Sequence, residues 1–289
     1  MSWILVFKLM LISLVTLVSC KSSIEVTHSE NRSPFSAFGV SYAKITPEQV
    51  EGYSMVIIES DFYSKAEIAQ MKSKGTKVLA YISLGEVDTN RWYYPKLMEG
   101  GFLGKNKNWG SSFLNLEDSL TRSILIDQVL PELTKKGVDG IFMDTIDSVS
   151  PYTSRSSLAS YMVEMIREIR KRNPDLLLVQ NAGLFLLEDT SEYIDGVLME
   201  DIASGYNFEQ GEYFVKDDIS YHERLSLLRS YSTRFDLPFL VLDFAIEAAA
   251  INKVQSRLDT LGMPYFISNI ELSTLPVYSS RAMLNPGMN

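Results

Sequence analysis

A short phrase occurs twice in the chain. Asp139-Gly140-Ile141-Phe142-Met143-Asp144 and Asp195-Gly196-Val197-Leu198-Met199-Glu200 both open with Asp-Gly, run through an apolar triplet and end on a carboxylate. An apolar run entered through a Gly turn predicts a buried parallel strand. Its last residue then stands at the C-terminal end of the strand, where α/β folds bind ligands and do chemistry. Asp61, Glu86, Asp147, Asp201 and Asp243 also fall at or just past predicted strand ends, with Asn181 among them. Glycosidic bond hydrolysis needs such a set: one acid protonates the leaving oxygen, and a second carboxylate is the nucleophile or activates water. Crowding raises carboxylate pKa values, so one member of a pair can stay protonated as the acid. An Asp at a strand end also serves as the N-cap of the next helix. For Asp144 and Glu200 the repetition favours chemistry over capping.

The elements that must hold these groups alternate from Phe38 onward. Strand-like runs fall at Phe38–Tyr42, Met55–Glu59, Lys77–Ser83, Phe113–Leu116, the two copies of the phrase, Leu176–Gln180, Pro238–Leu242 and Tyr265–Ser268. Helical patterns cover Lys65–Lys74, Leu120–Lys136, Ser157–Arg172, Tyr221–Phe235 and Ala248–Leu261, with stops at Gly75, Gly137 and Asn173-Pro174. Repeated β-α alternation predicts a single-domain (β/α)8 barrel of the TIM type over residues 38–289. The strand count is one too many for that barrel, and an open doubly wound sheet is the alternative. The two longest loops after strands, 86–112 and 201–220, carry Trp92, Tyr93, Tyr94 and Trp109, and Tyr206, Phe208, Tyr213 and Phe214. Aromatic faces there would stack on sugar rings or pin the loops down.

The N-terminus reads as a processing signal. Trp3 to Val18 is apolar apart from Lys8 and a few hydroxyl residues, and Leu17-Val18-Ser19-Cys20 follows the pattern of a bacterial lipobox. The apolar run is short for a membrane span, and Cys20 is the only cysteine in the chain. The expectation is a signal over residues 1–19, a lipidated Cys20 opening a polar tether to residue 37, and a membrane-anchored lipoprotein of the cell envelope. Removal of the signal takes Lys8 with it and moves the formal charge from −9 to −10. That charge excludes a nucleic-acid partner, whose phosphates it would repel, and suits a neutral or cationic substrate. One cysteine excludes an intrachain disulfide. With two histidines, His28 in the tether and His222 in a helix, the clustered ligands of a zinc hydrolase are missing. An oxygen-only metal site stays open on composition. No cofactor is expected. Gly101–Lys105 follows no strand and lacks the Ser or Thr of a phosphate loop.

The ordered stretches Val78–Glu86, Gly137–Asp147, Gln180-Asn181-Ala182-Gly183, Asp195–Asp201 and Val241–Ala245 together resemble glycoside hydrolase family 114 and related extracellular glycosidases. The named activity of that family is endo-α-1,4-polygalactosaminidase. The resemblance runs through most of residues 38–275. It implies a barrel in which Asp144 and Glu200 fall on the acidic pair and Asp61, Glu86, Asn181 and Asp243 on pocket positions. Tyr81, which lies within the first matching stretch, joins Asp147, Asp201, Trp92 and Trp109 as expected substrate contacts.

Three functions are open to such a chain. It is a lipid-anchored glycosidase of an envelope or extracellular polysaccharide, a barrel that binds such a glycan without cutting it, or a structural lipoprotein whose acids are caps. The full set of strand-end carboxylates favours the first, with Asp144 as nucleophile or base, Glu200 as acid, and the protein acting as a monomer.

Overall fold

The computed structural model describes residues 33–278. The predicted signal, Cys20 and His28 lie outside the described residues. Thirteen strands are present among those described: β1 Phe38–Ser41, β2 Met55–Ile58, β3 Lys77–Ser83, β4 Glu86–Val87, β5 Phe102–Lys105, β6 Ser112–Leu114, β7 Gly140–Asp144, β8 Leu177–Asn181, β9 Gly196–Glu200, β10 Ser204–Asn207, β11 Glu212–Val215, β12 Phe239–Phe244 and β13 Tyr265–Ser268. Eight of them form one parallel sheet in the order β1-β2-β3-β7-β8-β9-β12-β13. The sheet curls into a nearly closed (β/α)8 barrel. Its two edge strands lie against each other, with the Phe38 and Phe266 rings 6.1 Å apart across the seam and the Tyr42 N–H donating to the Leu272 carbonyl at 2.8 Å. The predicted barrel is thereby borne out, and the alternative of an open sheet is excluded.

The surplus strand has a simple origin. Phe113–Leu116, expected in the barrel, is instead β6, which pairs antiparallel with β4 and β5 in a small separate sheet. That sheet is an insertion between β3 and β7. Tyr265–Ser268 is therefore the eighth barrel strand, paired in parallel with β12. A second insertion, the antiparallel hairpin β10-β11, follows β9. The barrel strands are buried on both faces, as a sheet wrapped by helices requires, and so read as nearly unbroken apolar runs. The helix Ala159–Arg172 turns Met162, Val163, Met165, Ile166 and Ile169 inward against them and ends in Arg170, Lys171 and Arg172, favourable charges at a helix C-terminus.

The repeated phrase has a structural meaning at both of its ends. Its opening Asp sits at the bottom of the barrel and closes the neighbouring strand. Asp139 accepts from the Val78 N–H at 3.1 Å, and Asp195 accepts from the Leu178 N–H at 2.7 Å. Lys72 and Lys77 pair with Asp139 at 3.1 and 3.3 Å, and Arg170 pairs with Asp195. Gly140 is required by the close approach of β8, since a Cβ there would lie 2.3 Å from the Leu177 carbonyl oxygen. The closing carboxylates of the phrase emerge at the opposite, C-terminal face. Each copy thus fixes a strand at one end and offers an acid at the other.

Candidate active site

Three adjacent strands end in the same way. Asp144, Asn181 and Glu200 close β7, β8 and β9, and each is followed by a residue in the left-handed region: Thr145 at φ 58°, Ala182 at φ 50° and Asp201 at φ 60°. None of the three is Gly. Such conformations are uncommon for residues with a Cβ and cluster where surrounding structure imposes them. The sharp turn stops the strand and leaves the preceding side chain at the mouth. Its cost is offset by local bonds. The Thr145 hydroxyl reaches the Asp144 carbonyl at 2.7 Å and accepts from the Gly85 N–H at 2.8 Å. Arg224, on the helix Asp218–Arg234, donates to the carbonyls of Glu200 at 2.6 Å and Asp201 at 3.2 Å.

Asn181 joins the two acids. Its Nδ2 donates to Asp144 Oδ1 at 2.7 Å and to Glu200 Oε1 at 3.0 Å. Those two oxygens are therefore no further apart than the two bonds laid end to end, under about 6 Å, the spacing of a nucleophile and acid pair rather than of a pair with water between them. The Asn181 Oδ1 is buried and has no partner. The Tyr81 hydroxyl donates to the other Asp144 oxygen, Oδ2, at 3.0 Å. Tyr42 packs edge-on against Tyr81 with centroids 4.8 Å apart. Burial, and then the Asp144 charge, hold both tyrosines neutral well above the usual phenol range, so each keeps its proton to donate.

The two acids differ in environment. Asp144 receives two donors, one on each oxygen. Glu200 receives only the shared amide. Its carboxyl is enclosed, and burial followed by the Asp144 charge pushes it up to about 8, against which the Asn181 bond is a smaller opposing effect. At neutral pH Glu200 therefore keeps its proton. Asp147 is raised by burial of its carboxyl and then by Asp144 and Glu86, although the residue as a whole is exposed. Asp201 is raised by burial, with Lys216 and Arg224 pulling the other way.

The remaining expected contacts each meet other groups of the chain. Glu86 is buried, and its carboxylate is taken by the Ser111 hydroxyl and by the Asn106 Nδ2 at 3.2 Å to each oxygen. It clamps the turn that carries Trp109. Asp243 is wholly buried and accepts from the Ala203 N–H at 3.0 Å, the Ser204 N–H at 2.7 Å and the Ser204 hydroxyl at 2.7 Å. It clamps the root of the β10-β11 hairpin, with its carboxyl raised to about 6 by burial despite those bonds. Both carboxylates thus anchor the insertions through bonds within the chain. Asp61 is exposed and lies between Arg91 at 3.6 Å and Lys136 at 3.7 Å. Trp92 has Lys96 over its ring at 5.3 Å and the Tyr93 edge at 5.2 Å. Trp109 is half exposed and meets Phe208.

Arg91 carried no signal in the sequence. Its guanidinium pairs with Glu59 at 2.5 Å and lies 5.4 Å from the centre of the Tyr81 ring. It ties the end of β2 and the first insertion to the tyrosine that holds Asp144. Only its place in an aromatic-rich loop could have drawn attention to it.

The family model for glycoside-hydrolase family GH114 matches residues 25–273. An uncharacterized protein of Thermotoga maritima is 28% identical over 165 residues, 52% of this chain, and the chain spans about half the length of that relative, 50%. Among solved structures, the glycoside hydrolase domain of PelA from Pseudomonas aeruginosa superposes with a TM-score of 0.74 at 23% identity, over 83% of this chain and 97% of that one. Ega3 of Aspergillus fumigatus, in complex with galactosamine, gives 0.65 at 14% identity, over 84% and 94%. Likeness at these identities bears on the fold.

Proposed function

This chain belongs to glycoside-hydrolase family GH114, and from that premise we propose that it is an endo-acting glycosidase of an amino-sugar polysaccharide, such as α-1,4-linked galactosamine. The observation that carries the reading is the single amide shared by Asp144 and Glu200, with the proton held on Glu200. Asp144 attacks the anomeric carbon while Glu200 gives its proton to the departing glycosidic oxygen. Glu200, now ionised, takes a proton from water as that water displaces Asp144. The closeness of the two carboxylates favours retention of anomeric configuration. Tyr81 and Asn181 hold Asp144 for attack, and Asp147 offers a carboxylate to the cleft.

A cationic polymer suits this mouth. Asp144 and Glu200 stand together there, while the nearby cations Arg91 and Arg224 are engaged by the chain. The mature charge of −10 acts in the same direction. In this reading the protein works as a monomer held in the cell envelope by a lipid on Cys20, facing the periplasm or the outer surface.

Incubating the full chain with a panel of polysaccharides and measuring new reducing ends tests the proposal. Release from partly deacetylated galactosamine polymer, weakened as salt rises, is expected. Retardation by that polymer in native gels with no release would reduce the protein to a glycan-binding barrel. Tight, salt-insensitive binding to a polyuronate would overturn the substrate class.

A further inference from the structure

The tips of the two insertions meet. Trp109, in the turn between β5 and β6, stands edge-to-face with Phe208, in the turn between β10 and β11, at 5.0 Å between centroids. The contact continues from Phe208 to Tyr206 at 5.1 Å and from Tyr206 to Tyr213 at 4.8 Å. The Tyr213 hydroxyl accepts from the Ile270 N–H at 3.0 Å, beyond the end of β13. The insertions leave the barrel after β3 and β9, and β7 and β8 stand between those strands. The aromatic strip thus links an insertion that leaves the barrel before the strands carrying Asp144 and Asn181 to one that leaves after them. Neither Trp109 nor Phe208 shares a hydrogen bond or ring contact with Asp144, Glu200, Tyr81 or Tyr42.

Two observations separate this strip from loops merely pinned by apolar packing. First, Glu86 fixes the turn that carries Trp109 and Asp243 fixes the root of the hairpin that carries Phe208, so the rings are not the sole staples of the insertions. Second, the rings stay in water. Trp109 is 52% exposed and Phe208 36%, although burying them would be favourable. Trp92 in the same insertion is 44% exposed but has the Lys96 ammonium over its ring at 5.3 Å and makes no ring contact with the second insertion among the described residues. A pre-positioned, half-exposed aromatic pair on the rim of a cleft offers apolar faces to the C–H faces of a sugar ring.

We propose that Trp109 and Phe208 form one composite platform, built from two insertions, that stacks a sugar unit of the polymer away from the cleavage point. The inference rests on the glycosidase reading and extends it: the platform adds affinity for chains long enough to reach from the acid pair to the rim. It adds nothing for short oligomers. This makes the length of the glycan a determinant of specificity.

The test uses the full chain, Trp109→Ala, Phe208→Ala and the conservative Trp109→Phe. The readouts are retardation in native gels by partly deacetylated α-1,4-galactosamine polymer, which needs no catalysis, and kinetics on the polymer and on a short aryl oligosaccharide. Each Ala variant is expected to weaken retardation and raise the polymer KM about tenfold, the scale of one lost aromatic contact. Polymer kcat, short-substrate kcat/KM and melting temperature stay as in the unaltered chain, and Trp109→Phe retains most of the affinity. Unchanged retardation in both Ala variants overturns the platform, as does an equal loss on short and long substrates. If the unaltered chain is retarded but cuts nothing, loss of retardation in the Ala variants still supports the platform while the catalytic reading falls. If the unaltered chain is not retarded, the platform falls with it.

Discussion

Asp144 and Glu200 share one hydrogen-bond donor, the Asn181 Nδ2, at 2.7 and 3.0 Å. An amide between two carboxylates fixes their spacing whatever the substrate does. It also leaves the second Asp144 oxygen for Tyr81 and gives Glu200 no donor of its own. In the proposed mechanism the division of labour between acid and nucleophile follows from that asymmetry.

Replacing either acid by its amide should remove activity and spare the fold. Asp144→Asn and Glu200→Gln keep shape, and each is expected to lose roughly 10²–10⁴-fold or more in turnover. Both side chains sit at strand ends facing the cleft, so circular dichroism should be unchanged. The first product seen by proton NMR should keep the anomeric configuration of the substrate. Full turnover in either variant, with a lower melting temperature, would make the pair structural.

Tyr81 should act on turnover rather than on binding. Tyr81→Phe removes the hydroxyl donated to Asp144 at 3.0 Å and keeps the ring packed against Tyr42 and Phe142. A hydrogen bond to a charged group is worth about 1.5–3 kcal/mol, so kcat is expected to fall about ten- to a hundredfold with KM little changed. Arg91→Met, which withdraws the cation over the same ring, should move kcat in the same direction by less. A rise in KM alone would place both residues on the substrate instead.

Much of this was legible in the sequence. Strand periodicity located the barrel strands, because a strand covered on both faces must be apolar throughout, and the repeat pointed to the acids at their ends. Phe113–Leu116 misled because a short apolar run does not say which sheet it joins. The anchoring bonds of Glu86 and Asp243 were not legible for a related reason: a carboxylate at a strand end looks the same whether its oxygens face a substrate or the donors of a folded loop. The left-handed turns at Thr145, Ala182 and Asp201 left no trace, since none is Gly. Arg91 was invisible because its partners, Glu59 and Tyr81, come from other strands.

Asp243 should prove a stability residue. Three donors point at its buried carboxylate. In Asp243→Asn the amide oxygen can keep the Oδ1 place that all three donors reach, but the NH2 group in the Oδ2 place then faces the Ala203 N–H at 3.1 Å, donor against donor in a buried site, and the charge on the acceptor is lost. The expected cost is about 2–4 kcal/mol, a melting temperature lower by roughly 5–10 °C. Because the β10-β11 hairpin is rooted there, polymer affinity should fall with it, while the pH dependence of turnover stays in place. An Asn variant as stable as the unaltered chain would refute the clamp.

The anchor can be tested without any activity. In the proposed lipoprotein, Cys20→Ala abolishes labelling by a fatty-acid analogue and moves the protein from the membrane to the soluble fraction. Equal labelling of the variant would end that reading.

The acid carries its own signature in pH. Glu200 titrates near 8 in the folded chain against an ordinary value of 4.5, chiefly through burial and then the Asp144 charge. As the proton donor it must be protonated, so kcat/KM should fall as pH rises through about 8. Stability should follow the same group. Between about 4.5 and 8 the folded chain binds a proton that the unfolded chain has lost, so the contribution of Glu200 to stability declines as pH rises across that window and levels off above it. The group retains some exposure, so the decline is expected to amount to a few kcal/mol at most. Glu200→Gln carries no ionisable group there. Its melting temperature should therefore overtake that of the unaltered chain toward pH 8 and converge with it near pH 5. Asp144→Asn removes the second cause of the shift, and the decline should then move to lower pH. Parallel melting curves for the unaltered chain and Glu200→Gln from pH 5 to 8 would mean that Glu200 is ionised throughout, and Asp144 would have to be considered for the acid.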